Sequence, residues 1–309
     1  MSYSVFENNI LNRINFAGSG NQLAIFRILL GLQIFYSSNS KLIDLLQVAG
    51  GTSETVTIFP SFLDTLIAST LVDYLQIIVP VLSVLLILGF LTRFVAPLLF
   101  ISFLFLFDFW YINFDAPVPW LYIWFPLLII CFSKSSDNIS LDALVFGKTL
   151  QTQNIQYNSY RWPIELVSAW FVYIYFSAGL AKIFPVTTLI EWMQGGTSQN
   201  ILYERFLDSF LHYTFNEPFF DYSSNNYIFS ILSILSIIVE LSVIIILFTN
   251  RYNKIIIFLI LSMHFFLFLT GVPGFMQLAL ILGICLINPK LFNDYPQTRN
   301  NKTKTAKIF

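Results

Sequence analysis

Six ionisable side chains fall within long apolar stretches of this sequence. They are Arg27, Asp108, Glu165, Lys182, Glu240 and His264. An ionisable group inside a membrane-spanning segment costs a few kcal/mol or more unless it is paired, so each one needs a reason to be there. Lys182, Glu240 and His264 are of the types that exchange protons in catalysis. A lysine at an apolar helix end is a candidate general base, because desolvation disfavours its charged form.

A plainer interpretation is that these groups neutralise one another inside a helical bundle. It predicts two sets of pairs: Arg27 with Glu165 or Glu240, and Lys182 with Asp108 or Glu191. Lys182 could also extend its ammonium group to the membrane interface, and His264 could fill a satisfied position in the core. The catalytic and the structural interpretation both stay open on these residues alone.

The amino-acid composition indicates the class of protein in which these six residues lie. The chain has 309 residues, of which 56% are apolar and 11% charged, and its net charge is −1. A soluble domain carries roughly 25% charged residues, so an ordinary soluble enzyme is excluded, and the charge balance excludes a nucleic-acid binder. With two Cys and two His residues, no metal site is expected. An all-α polytopic membrane protein remains.

Eight stretches are apolar over about 20 residues, the length of a transmembrane helix, and counts of seven or nine spans stay open. They are residues 22–40, 74–92, 94–112, 117–133, 162–182, 227–249, 254–271 and 273–289. Most basic residues fall in segments on the side of the N-terminus, so the positive-inside rule places both termini in the cytoplasm and Lys182 at the outer face. The sequence thus predicts a transmembrane domain over 1–290 and a basic, disordered cytoplasmic tail over 291–309.

Three patterns in this framework resemble the HTTM family, which contains the transmembrane domain of vitamin K-dependent γ-carboxylase and many bacterial relatives. The first is LAIFRILLGLQIFY at 23–36. The second is YIYFSAGLAKI at 173–183 followed by EWMQGGTSQNIL at 191–202. The third is VELSVIIILFTNR at 239–251 followed by SMHFFLFLTGVPGF at 262–275. The patterns occur in the order that they have in the family.

The resemblance implies a helical membrane bundle with a general base at Lys182. That position matches the carboxylase lysine that deprotonates reduced vitamin K. A substrate-binding loop over this lysine would be formed by Trp192, Gly195 and Gly196. Glu240 and His264 would support the site from the core. The cofactor stays open under this resemblance, with a quinone as the candidate.

Two departures from the family pattern bear on the reaction. The stretch NFDAPVPWLYIW at 113–124 has no counterpart of the histidine that assists carboxylation, and the sequence predicts no large extracytoplasmic domain after the bundle. Glutamate γ-carboxylation is therefore not expected. The chain instead resembles short bacterial relatives that serve in the maturation of a sporulation-delaying peptide toxin. This similarity suggests a secreted peptide, a lipid or a quinone as substrate, at a bacterial cytoplasmic membrane.

A non-enzymatic function is the alternative: a membrane chaperone, an immunity protein or a scaffold for a secreted peptide or a small membrane partner. Residues 200–215 would then form the docking element, because Leu202, Phe206, Phe210 and Tyr213 recur at near-helical spacing. Tolerance of position 182 to substitution would distinguish this alternative from an enzyme. A transporter fits less well, since the sequence shows no paired internal repeat.

Overall fold

The computed structural model describes residues 19–39, 72–114, 121–146, 158–206, 226–248, 252–270 and Ile281. All regular secondary structure in these segments is helical, as the predicted all-α class requires. In chain order the helices are α1 (Gly20–Asn39), α2 (Val72–Leu88), α3 (Thr92–Phe114), α4 (Leu121–Phe132), α5 (Leu141–Val145), α6 (Asn158–Ile183), α7 (Val186–Met193), α8 (Gly196–Phe206), α9 (Asn226–Ser242), α10 (Ile245–Phe248) and α11 (Asn253–Leu269).

Seven of the eight predicted spans coincide with helices of the described segments. The eighth, 273–289, lies outside them except for Ile281, which is buried, and the tail 291–309 lies outside them entirely. Two helical stretches, Tyr160–Ile183 and Tyr227–Phe248, are long and apolar enough to cross a bilayer. The number of spans and the sides of the termini stay predictions.

The helices pack mainly against their neighbours in the chain. α1 lies along α2, α3 contacts both α2 and α4, and α6 links α4 to α9. Gly31 brings α1 and α2 close together, because a Cβ atom there would lie 2.7 Å from Cγ1 of Ile87. The shared core contains Phe26, Leu86 and Phe171, all fully buried.

Arg27 lies in α1 with a side chain that is 0% exposed. Its guanidinium donates to backbone carbonyl oxygens in the loop between α4 and α5, from Nη1 to Ser135 and from Nη2 to Ile139 at 2.6 Å. Loop carbonyls lack the partners that a helix supplies, so they can satisfy a buried guanidinium. The prediction that Arg27 pairs with Glu165 or Glu240 is therefore wrong.

Asp142, in the first turn of α5, caps the start of α3. Its Oδ1 accepts a hydrogen bond from the backbone N of Leu91 at 2.8 Å, and its Oδ2 accepts one from Thr92 at 3.1 Å. Its own backbone N donates to the carbonyl of Gly89 at 3.0 Å. The carboxylate therefore satisfies N–H groups at a helix start and lies at the positive end of the helix dipole.

The Asp142→Asn variant should lose about 1–2 kcal/mol of unfolding free energy, because an amide offers only one acceptor atom and no charge. Thermal unfolding of the detergent-solubilised protein would measure the loss. Glu191→Gln is the matched control, since that carboxylate is exposed on α7. Equal stability of the two variants would contradict the capping role.

Candidate functional site

Lys182 and Glu240 form an ion pair between α6 and α9. The distance from Lys182 Nζ to Glu240 Oε1 is 2.6 Å, and the two side chains are only 16% and 10% exposed. Nζ also donates to the hydroxyl of Ser236 at 3.4 Å, one helical turn before Glu240. Lys182 thus pairs with Glu240 and not with the predicted Glu191, and the side chain of Asp108 lies outside the described residues.

Gly179 allows this pair to form. A Cβ atom at position 179 would lie 3.0 Å from Cδ2 of Leu241 and 3.2 Å from Cβ of Glu240. The absence of a side chain therefore lets α6 and α9 approach closely one turn before Lys182. The glycine three residues before Lys182 in the stretch YIYFSAGLAKI thus has a local packing reason.

Trp192 covers the ammonium group of Lys182. α7 follows the end of α6 and places the Trp192 ring centroid 4.4 Å from Nζ, which is within cation–π range. Gly195 has a φ of +82° at the turn into α8, a conformation that favours glycine. A Cβ atom on Gly196 would meet nothing within 4 Å, so the structure gives that glycine no steric role.

Tyr175 and His264 form a second polar pair in the same region. The Tyr175 hydroxyl is hydrogen-bonded to Nε2 of His264, and the two rings meet edge to face with centroids 5.4 Å apart. Both side chains are almost fully buried. Tyr175 precedes Lys182 by seven residues, so both lie on one face of α6.

These residues line a cavity of about 610 Å³ between α4, α6, α7, α8, α9 and α11. Most of its wall is apolar, with side chains such as Ile174, Leu235 and Val239. Glu240 Oε2 is buried and has no hydrogen-bond partner within the described segments. The volume suits a small molecule, and Oε2 offers that molecule one acceptor at the polar end.

The structure brings together four residues that the sequence predicted for the site: Lys182, Trp192, Glu240 and His264. Arg27 lies elsewhere, against the loop that precedes α5. Glu165 forms an ion pair with Arg161 four residues earlier and does not line the cavity. The side chain of Asp108 lies outside the described residues.

Sequence reasoning missed Tyr175, Tyr122 and Ser236 as lining residues. Tyr175 could have been found, because its spacing of seven from Lys182 is visible in the sequence. The proposed docking stretch 200–215 is described only as far as Phe206, where α8 ends. Leu202 faces inward from it and is buried at the cavity wall. Within the described residues, no cluster of three or more His, Cys, Asp or Glu side chains could hold a metal ion.

Residues 22–111 match the family model described as DoxX, a membrane family. No curated protein and no solved structure matches the chain. The matched stretch is less than a third of the chain, covers α1, α2 and most of α3, and ends before Tyr122, the first residue of the cavity wall. Together with the two span-length helices, this similarity points to an integral membrane protein associated with a lipid bilayer.

Proposed function

We propose that this protein is a membrane enzyme that removes a proton from a mainly apolar molecule held in the cavity. The observation that carries the proposal is the Lys182–Glu240 ion pair inside an apolar wall, with Glu240 Oε2 left as a buried acceptor. Ionisable groups that converge in a mainly apolar cavity are typical of catalytic sites. The HTTM resemblance supports the same site, because it independently selects Lys182.

The proton transfer can be written with the groups in this site. A bond between hydrogen and a substrate atom breaks, the proton moves to Glu240, and the electron pair stays on the substrate. The proton reaches Glu240 directly at Oε2 or through Lys182 Nζ, which passes its own proton to Oε1 and takes up that of the substrate. The Lys182 ammonium then lies beside the new anion and stabilises it electrostatically.

The cavity wall favours a lipid-like or quinone-like substrate over a peptide. A peptide would bring backbone N–H and C=O groups against apolar side chains, where each unsatisfied group costs free energy. A molecule with one polar group and an apolar body can hydrogen-bond to the Lys182–Glu240 pair. It brings no other polar group against the apolar side chains of the cavity wall. The maturation of a secreted peptide would therefore require its side chain, and not its backbone, to enter the cavity.

The proposal includes a membrane arrangement. Eight spans with both termini in the cytoplasm would place α7 and the Lys182 end of α6 at the extracytoplasmic face of the bacterial cytoplasmic membrane. The distribution of basic residues supports this orientation. The substrate would then meet the ion pair from the outer leaflet or from the space outside the cell.

A chromophoric acid can test the proton transfer without knowledge of the natural substrate. An alkylated para-nitrophenol bound by the protein in lipid nanodiscs should form its yellow phenolate about one pH unit lower than in empty nanodiscs. This shift is expected because Glu240 accepts the proton and Lys182 stabilises the phenolate. Absorbance titration would measure the shift.

Two variants and one control make the titration specific. Lys182→Met should remove the shift, because the phenolate then has no cation beside it. Glu240→Gln should send the proton to water and keep or enlarge the shift, because the Lys182 ammonium no longer shares its charge with a carboxylate. Lys254→Met should leave the shift unchanged, because Lys254 is exposed at the start of α11 and does not line the cavity. If the probe binds the native protein with no change in its ionisation, the site is a binding site only. That result would favour a non-enzymatic function.

A further inference from the structure

The short helix α7 carries an apolar stripe on its outer surface. Val186, Ile190 and Met193 recur at helical spacing and are 62%, 50% and 47% exposed. Phe184, two residues before Val186, is 65% exposed. Four large apolar side chains are therefore uncovered within ten residues, in the segment that adjoins the Lys182–Glu240 pair.

The other sides of α7 are different. Thr187, Glu191 and Gln194 form an exposed polar flank, whereas Leu189 and Trp192 are half-buried. Trp192 covers Lys182 and lines the cavity. One helix thus presents an apolar face, a polar flank and a face toward the cavity, which is the pattern of a helix lying in a membrane interface.

The position of α7 along α6 agrees with a membrane interface. At one end of α6, the Tyr160 hydroxyl donates to Asp137 in the loop before α5. Residues 144–146, at the end of α5, expose apolar side chains in the same region of the chain. From Tyr160 to Lys182 the helix rises about 33 Å, at 1.5 Å per residue. The hydrocarbon core of a bilayer is about 30 Å thick. α7 therefore begins where that core ends.

The apolar stripe also continues an exposed face of α6. Leu166 and Tyr173 are exposed, and their spacing of seven places them on one face of the helix. Phe184 follows Tyr173 by eleven residues, about three turns, and its backbone N still bonds to the carbonyl of Leu180. Whatever surrounds this face of α6 therefore also surrounds Phe184 and the apolar stripe of α7.

We propose that α7 lies in the bilayer interface, with Phe184, Val186, Ile190 and Met193 inserted among phospholipid acyl chains, and that this insertion keeps Trp192 over Lys182. The partner is the lipid surface itself. The bilayer thereby closes one side of the cavity, and a molecule dissolved in the leaflet lies next to the opening. This inference goes beyond the proposed proton transfer and does not depend on it.

The test places an environment-sensitive NBD fluorophore on α7, in protein carrying Cys131→Ala and Cys285→Ala and reconstituted in phosphatidylcholine vesicles. The label attached through Ile190→Cys should emit at shorter wavelength than the label attached through Glu191→Cys. It should also be quenched about threefold more by lipid with a doxyl group near the head of its acyl chain. Val186→Cys and Thr187→Cys repeat the comparison at a second pair of positions.

A second experiment tests whether insertion of α7 keeps Trp192 over Lys182. Ile190→Asp should raise the rate at which a water-soluble amine reagent modifies Lys182, measured by mass spectrometry of the digested protein, while Glu191→Gln should leave that rate unchanged. An unchanged rate in Ile190→Asp would show that insertion of α7 does not keep Trp192 over Lys182.

Two fluorescence results would overturn the lipid assignment. Equal quenching of the two labels by aqueous iodide would place both sides of α7 in water. Protection of the Ile190 label from both lipid and iodide, increasing with the ratio of protein to lipid, would assign the stripe to contact with a second copy of the chain.

Discussion

Replacement of either Lys182 or Glu240 alone should destabilise the protein by about 3 kcal/mol, because each leaves a buried charge without its partner. The relevant variants are Lys182→Met and Glu240→Gln, which keep the approximate size of the side chains. The pair is 2.6 Å apart and both side chains are mostly buried. The lower end of the usual range is expected, since the pair borders a cavity.

The double variant should recover most of this loss, because no unpaired charge remains at the cavity wall. Unfolding free energies of the four proteins in mixed detergent micelles would give the coupling energy of the pair. A coupling of about 2 kcal/mol or more is expected. Additive losses in the double variant would show that the two side chains act separately, and would remove the ion pair as the organising feature of the site.

Gly89→Ala should have an effect of similar size at the other end of the bundle. Gly89 has a φ of +67°, where a side chain costs about 1–2 kcal/mol. A Cβ atom there would also lie 2.5 Å from Cβ of Ser140 and 2.7 Å from Cζ of Arg27. Because the guanidinium is bonded to loop carbonyls and cannot move freely, we expect a total loss of about 3 kcal/mol or more.

Gly196→Ala is the matched control for this prediction. A Cβ atom on Gly196 meets nothing within 4 Å, so the alanine should change stability by less than about 0.5 kcal/mol or stabilise the start of α8 slightly. Thermal unfolding of both variants in one detergent would compare them. Similar melting temperatures for the two variants would contradict the close packing at Gly89.

The sequence predicted the helices well because long apolar runs leave few other structures. The span predicted at 94–112 corresponds to Thr92–Phe114, and that at 162–182 lies within Asn158–Ile183. The composition required these runs to be buried in lipid or protein, and a helix satisfies its own backbone groups. The ends of the helices were less predictable, since they depend on contacts such as the Asp142 cap.

The partners of the buried charges could not be predicted from the sequence. The guanidinium of Arg27 is hydrogen-bonded to backbone carbonyl oxygens, which every residue carries and which leave no pattern in the side chains. Lys182 and Glu240 are 58 residues apart in sequence. They meet because Gly179 allows α6 and α9 to approach closely. The motif identified Lys182 and Glu240 as separate candidates, but only the packing of α6 on α9 makes them one unit.

The hydrogen bonds of Arg27 affect which segments of the protein must open together. One guanidinium ties α1 to the carbonyls of Ser135 and Ile139, and the Asp142 carboxylate ties the neighbouring α2–α3 corner to α5. These segments can separate only together, so amide hydrogens at this end should exchange through cooperative opening of the whole bundle. The cavity lies at the opposite end, where α7 and α8 pack on α6 and α9. Opening of these short helices would not break the hydrogen bonds of Arg27 or Asp142, so amide hydrogens of α7 and α8 should be able to exchange without opening of the whole bundle.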